Sequence, residues 1–176
     1  MRLCIITSSF PLNPTDARAA AGLFVKDFAL AVRDLGHRVV VVTPDKTPGE
    51  KVEIPGLPVH WYPWRGGDKI LATLKPWRPG DALAMASLFK RGIRALDRLV
   101  ESEGFDHVLA MWAVPAGYLA RGVKQRHGIP FSTWCLGSDI WTYARYPVVR
   151  GLIRRILLAS DHIFADGLQL ANDVTR

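Results

Sequence analysis

Cysteine is almost missing from this sequence. The two that occur, Cys4 and Cys135, each sit inside a short strand-like apolar run and neither falls in a metal-ligand spacing. A disulfide scaffold and a zinc module are therefore excluded as organising principles. Reduced, buried thiols in a cytoplasmic protein are the expected state, with a Cys4–Cys135 bridge as the alternative if parallel strands bring the two together. The phosphate-binding fingerprints G-x-G-x-x-G and G-x-x-x-x-G-K-[ST] are absent, and so is the G-x-S-x-G nucleophile elbow. The five histidines are scattered without i,i+4 pairing, so no metal site is expected. Long apolar runs are missing too: Met1-Arg2 leads into "LCIIT", far shorter than a secretory leader, and no run is long enough to span a bilayer.

Acidic residues are in deficit. Lysine and arginine outnumber aspartate and glutamate 23 to 16, giving a net charge of +7 and a pI near 9.8. This balance favours an anionic partner: a membrane surface, a nucleic acid or a phosphorylated ligand. A length of 176 residues with 49% hydrophobic content suffices for one sizeable core, so one domain over residues 1–176 is expected.

What the sequence does have is an alternating hydrophobic period. "RLCIIT", "HRVVVVTP", "VHWYP", "HVLAMW", "PFSTWC" and "HIFAD" read as strands. Between them lie segments of helical spacing: Phe24, Phe28, Ala31, Val32 and Leu35 stopped by Gly36; Phe89, Ile93, Leu96 and Val100; and the stretches from Pro115 to Arg126 and from Tyr146 to Leu158. "RGGDKILATLKPWRPGD" reads as a loop or broken helix. Six strand-helix units predict an α/β fold, a Rossmann-like doubly wound parallel sheet with helices on both faces.

In such a sheet, ligands bind outside the carboxyl ends of the strands. Four segments emerge there: "SSFPLNPTDARAAAG" from Ser8 to Gly22, "WAVP" from Trp112, "LGSDIW" from Leu136 to Trp141, and Asp166-Gly167. Gly22 either only begins a helix or leaves a helix start open to an anion. Gly137 permits a sharp turn, after which Ser138 and Asp139 project at the rim. Asp139 is either a cap or a substrate-orienting carboxylate. Trp112 and Trp141 are either packing or an apolar wall for a ligand.

The order of "GLFVKDFALAVRDLGHRVVVVTP", "FDHVLAMWAVPAGYLARGVKQRHGIPFSTWCLGSDIW" and "ASDHIFADGLQLANDV" resembles the amino-terminal half of glycosyltransferase family 4, whose members have the two-domain GT-B fold. The similarity covers most of the chain, except Asp45 to Pro79. The resemblance implies retaining, hexosyltransferase-type transfer from a nucleotide sugar in a cleft between two Rossmann-like domains. On that reading this chain is the acceptor-side domain, inactive alone. The missing carboxyl-terminal domain would bind most of the nucleotide sugar and supply a pair of glutamates, with no other cofactor. The site residues implied are Asp139 for substrate orientation, with Gly22, Trp112, Gly137, Ser138 and Trp141 for binding. The expected partners are a nucleotide sugar and a glycan, lipid-linked or bacterial envelope acceptor, with no nucleic acid. Two departures stand out: Met111 and Leu136 occupy positions where many relatives carry histidine.

The segment "WYPWRGGDKILATLKPWRPGD" interleaves three tryptophans and a tyrosine with cations. As a mobile region it would suit docking at the inner face of the cytoplasmic membrane, whereas Lys69, Lys75, Arg78, Lys90, Arg91, Arg94 and Arg98 could equally be a solvated face. A non-catalytic Rossmann-like module for a nucleotide or an anionic partner is the competing functional class.

Overall fold

The computed structural model describes residues 1–12, 20–46, 51 and 53–175. Six parallel strands form one sheet: β1 (Arg2–Ile6), β2 (Arg38–Asp45), β3 (Val59–Pro63), β4 (His107–Met111), β5 (Phe131–Cys135) and β6 (His162–Ala165). Their spatial order is β3-β2-β1-β4-β5-β6. This is a doubly wound order, and its direction reverses between β1 and β4. Val39 to Val42 are buried on both faces of β2, which is why that strand reads as an unbroken apolar run.

Helices cover both faces, as the strand-helix alternation predicts. Val25 and Ala29 of α1 (Ala20–Asp34) pack on Leu3, Ile5, Val39, Val41, Leu109 and Met111. The opposite face is covered by α2 (Pro79–Glu103), α3 (Tyr118–His127) and α4 (Pro147–Ala159), whose apolar stripes meet Cys4, Ile6, Val40, Val108 and Phe131. A short α5 (Leu168–Val174) follows β6. Prolines stand at the starts of α2 and α4, where the missing N–H costs nothing. Gly128, at φ 71°, closes α3 by donating its N–H to the Lys124 carbonyl, a left-handed end that favours glycine.

Four expectations need correction. Between β2 and β3 no helix occurs among the described residues, so one of the six strand-helix units is missing. The α2 helix begins at Pro79, well before the Phe89 periodicity, because its first turns bury small residues such as Ala84 that leave a weak apolar signal. The third helix starts at Tyr118, and Ala113–Gly117 form a separate tight turn with a cis Val114–Pro115 bond. The fourth concerns the bridge: β4 lies between β1 and β5, and the register sets Cys4 level with Val108 and Phe131, so Cys135 stands two strand spacings across and four residues along from Cys4, roughly 16 Å away and beyond the reach of a disulfide. Both are free and buried.

The tryptophan-rich segment is packed rather than loose. Trp64 is buried, and Gly66 lies on its ring so closely that a Cβ there would come within 2.0 Å. Trp61 meets Phe10 edge-on at 6.1 Å, Lys51 lies 5.4 Å over its ring, and Lys69 is paired with Asp81 at 2.7 Å. Of its three tryptophans only Trp77 is exposed.

Candidate functional site at the carboxyl rim

The strand order reverses between β1 and β4, the place where an open α/β sheet binds ligands at its carboxyl ends, and Gly22, Trp112 and Gly137 stand in the connections that leave β1, β4 and β5. Gly22 is buried in the first turn of α1. A Cβ at that position would stand 2.9 Å from Phe10 Cα and 3.0 Å from Phe10 N. Glycine here lets the helix touch the backbone that leaves β1. The residues just before α1, Asn13 to Ala19, lie outside the described residues, so the expected exposed helix start stands outside them too.

Trp112 follows β4 with φ 72° and ψ 139°, the one non-glycine residue at positive φ among the described residues. Such a conformation costs about 1–3 kcal/mol and persists only where its surroundings impose it. Its N–H is held by the Trp134 carbonyl at 2.9 Å, its carbonyl accepts the Gly117 N–H at 3.1 Å, and its ring meets Phe24 edge-on at 6.0 Å. Phe24 also reaches Trp134, which packs on Phe28 at 5.2 Å. Thus α1, the β4 turn and β5 meet through an aromatic cluster, and the Trp134 Nε1 is buried within it without a hydrogen-bond partner among the described residues. Phe24 and Trp134 escape a reading of the sequence for site residues, because both look like ordinary apolar positions. The signal that could find Trp134 is the two-residue alternation of β5, which puts it on the α1 face.

The segment "LGSD" turns at Gly137, at φ 97°, with the Ile140 and Trp141 N–H groups both donating to its carbonyl at 3.0 and 2.7 Å. Ser138 is exposed at the rim, as expected. Asp139 is not: it is fully buried. Its Oδ2 accepts the Ala113 N–H at 2.8 Å and its Oδ1 accepts the Leu136 N–H at 3.2 Å. One carboxylate therefore ties the turn after β4 to the turn after β5. Burial pushes its pKa up, and the bonds from the Ala113 and Leu136 N–H groups pull against that. The geometry is that of a buried tie between two turns rather than of a group projecting at the rim. Trp141 leans on Gly137 and donates its Nε1–H to Asp173 at 2.9 Å, joining the rim to α5. It is not brought to Trp112. Met111 is fully buried on the α1 side, and Leu136 is half-buried against the same cluster.

A second rim group lies over β2 and β3. Thr43 Oγ1 and Asp45 Oδ1 are buried without hydrogen-bond partners among the described residues, while Asp45 Oδ2 pairs with Lys51 at 2.6 Å beside Trp61. Little in the sequence signals this group, because Lys51 comes from the proline- and glycine-rich connection. Among the described residues no cluster of three or more His, Cys, Asp or Glu is placed to hold a metal ion, and no helix is long and apolar enough to cross a membrane.

The decisive comparison is with protein families: the profile of the Glycosyl transferase 4-like domain matches residues 20–176. The chain belongs to that family. A comparison of the sequence with curated proteins finds no match. Among solved structures, the glycosyl transferase 4-like domain is similar to the sucrose-phosphate synthase of Thermosynechococcus elongatus, at 11% identity and a TM-score of 0.62 over 92% of this chain and 41% of that one. It is also similar to a putative UDP-N-acetylglucosamine 2-epimerase from Listeria monocytogenes, at 13% identity and a TM-score of 0.60 over 99% and 41%. A third is Os79 from O. sativa in complex with UDP, at 14% identity and a TM-score of 0.55 over 94% and 46%. At these identities the likeness concerns the fold. The domain spans less than half the length of each of these structures.

Proposed function

We propose that this domain is the acceptor-side half of a retaining glycosyltransferase, of hexosyltransferase type, that takes its sugar from a nucleotide donor. The donor-binding half, with its paired glutamates, lies on this reading outside these 176 residues, and the domain alone is inactive. The observation that carries the proposal is the strained Trp112 turn packed on Phe24 of α1 at the reversal of strand order, in a chain matched over residues 20–176 by a glycosyl transferase 4-like profile.

The geometry supports the following roles. Trp112, Gly137 and exposed Ser138 form the wall that a sugar would meet, and Trp112 offers a ring to stack on a pyranose face. Gly22 keeps α1 close to the backbone that leaves β1. Asp139 acts as a positioning residue, fixing the two turns rather than touching the sugar. Trp141 braces that wall through α5. The acceptor class proposed is a glycan or a lipid-linked envelope precursor.

Incubating the complete two-domain protein with a panel of nucleotide sugars and acceptors tests this reading, with the anomeric configuration of the product read by NMR. Transfer with retained configuration is expected. Release of free epimerised sugar would replace the proposal with an epimerase, and nucleotide binding without turnover would replace it with a non-catalytic module.

A further inference from the structure

Two neighbouring polar atoms at the carboxyl end of β2 have nothing to bond. Thr43 Oγ1 and Asp45 Oδ1 are buried and, among the described residues, without a hydrogen-bond partner; Thr43 as a whole is 1% exposed. An orphaned buried polar group costs stability, and such a cost persists where something other than folding uses the group. The Nε1 atoms of Trp64 and Trp134 are buried without partners too, but each stands singly. At Thr43 and Asp45 an unused hydroxyl and an unused carboxylate oxygen occur together.

They share a face of the sheet. Val39 and Val41 of β2 pack on the α1 side, whereas Val40 and Val42 belong to the other side. The two-residue period therefore puts Thr43 and Asp45 on the α1 side, about 6.6 Å apart along the strand. Trp61 of β3 is the register partner of Thr43 and lies on that side as well. Lys51 completes the group: its Nζ is 2.6 Å from Asp45 Oδ2 and 5.4 Å over the Trp61 ring. By engaging Oδ2 it leaves Oδ1 as the unused acceptor. The side chains of Lys51 and Asp45 are 25% and 23% exposed, so the group lies just under the surface and opens when one lysine side chain rotates.

Asp45 Oδ1 needs a donor, Thr43 Oγ1 can donate or accept, and Trp61 offers an apolar ring. A phosphate dianion brings no donor for Oδ1 and is repelled by the carboxylate, and an apolar ligand leaves both oxygens unpaired. Two neighbouring hydroxyls of a sugar meet both oxygens, with the C–H face of the ring toward the indole. The register sets Ala110 and Val42 level with Ile6. Trp112 therefore stands at the height of the Thr43–Asp45 segment, two strand spacings or about 10 Å across the sheet, farther than one sugar ring spans. We propose that Thr43, Asp45 and Trp61 form a saccharide subsite that holds a second unit of the acceptor while the first meets Trp112, so that the acceptor is a glycan of at least two sugars. The link to catalysis rests on the transferase reading; the saccharide site itself does not.

The test is titration of the full chain with methyl glucoside, methyl mannoside, N-acetylglucosamine, maltose, cellobiose and chitobiose, read by NMR on the indole N–H resonance of Trp61, which its loss in Trp61→Phe identifies. A saccharide that shifts this resonance is expected, with disaccharides binding more tightly than their single units. Asp45→Asn should weaken that binding at least about tenfold and Thr43→Val about fivefold. Thr43→Val should also melt at or above the wild-type temperature, because valine fills the same space and removes an unpaired hydroxyl; a threonine with a purely structural role would give the reverse. Trp77→Phe, at an exposed tryptophan outside the group, should change neither reading. In the complete two-domain protein, Asp45→Asn and Thr43→Val should raise the KM for a disaccharide acceptor and leave the KM for the donor unchanged. Wild-type protein that binds the saccharide but transfers no sugar would overturn the transferase reading, not the subsite. No saccharide shift at Trp61, a Thr43→Val chain that melts lower, unchanged binding by Asp45→Asn, or an equal shift from inorganic phosphate alone would each overturn the subsite.

Discussion

Replacing Asp139 by asparagine separates a structural tie from a substrate contact. Each carboxylate oxygen accepts one backbone N–H, from Ala113 at 2.8 Å and from Leu136 at 3.2 Å. An amide has a single oxygen, so Asp139→Asn turns an NH2 group toward one of those donors and leaves it buried without a partner. An orphaned buried donor costs about 1–3 kcal/mol, partly offset because the buried charge is removed. A net loss of about 2 kcal/mol corresponds to a fall in Tm of roughly 4–8 °C for a chain of this size.

The pH dependence has a definite sign. Burial raises the folded-state pKa of Asp139 above its ordinary value of 3.8, so protonation favours the folded state. The advantage of wild type over Asp139→Asn is therefore widest at acid pH and narrows as pH rises through the folded-state pKa. Thermal unfolding of both proteins from about pH 4 upward measures this, and other carboxylates cancel in the difference. A variant that melts within about 1 °C of wild type while the complete enzyme loses activity would refute the tie and return Asp139 to the substrate.

Three further outcomes follow from the same geometry. Gly22→Ala puts a methyl group 2.9 Å from Phe10 Cα, and because backbone must move, a loss of about 1–3 kcal/mol in urea unfolding is expected; a neutral result would show the β1 segment to be yielding. Asp161 accepts from Lys124 Nζ at 2.7 Å and from the Phe131 N–H at 2.9 Å, which hold its pKa below the ordinary carboxylate value. Asp161→Asn should therefore cost stability at neutral pH, with the cost shrinking as pH falls below 3.8 through the folded-state pKa, and a pH-independent difference would contradict it. Burial pushes the Cys135 thiol up to about 12 and raises Cys4 as well. A thiol reagent at mildly alkaline pH should label neither until denaturant is added, and prompt labelling of the folded chain would show the core to be open.

The parallel sheet is legible because β-branched runs such as "VVVV" have no helical alternative at that length, and glycines such as Gly36 and Gly128 mark helix ends through their left-handed backbones. The rim segments are legible for a related reason: once the strands are placed, topology decides which loops share an end. The fate of individual side chains there is not. Whether Asp139 faces inward depends on the tight turn at Ala113–Gly117, which offers it an N–H from 26 residues away. Composition misleads in the segment from Trp61 to Asp81. Proline, glycine and cations suggest mobility, but Trp64 and Trp61 are anchored by Gly66 and Phe10, partners that become visible only when the chain is folded. The exposure of Val148 and Leu158 on α4 is equally hidden, because both look like core residues until Ile153, Ile156 and Leu157 take the inner face.

The most direct test of the transferase reading is a side-by-side turnover assay of this 176-residue chain and the complete two-domain protein, with release of nucleoside diphosphate from a nucleotide sugar as the readout. Acceptor-dependent release by the complete protein and none by the chain alone is the predicted result. Turnover by the chain alone would contradict the division of labour, and no transfer by the complete protein with any donor and acceptor in the panel would contradict the function.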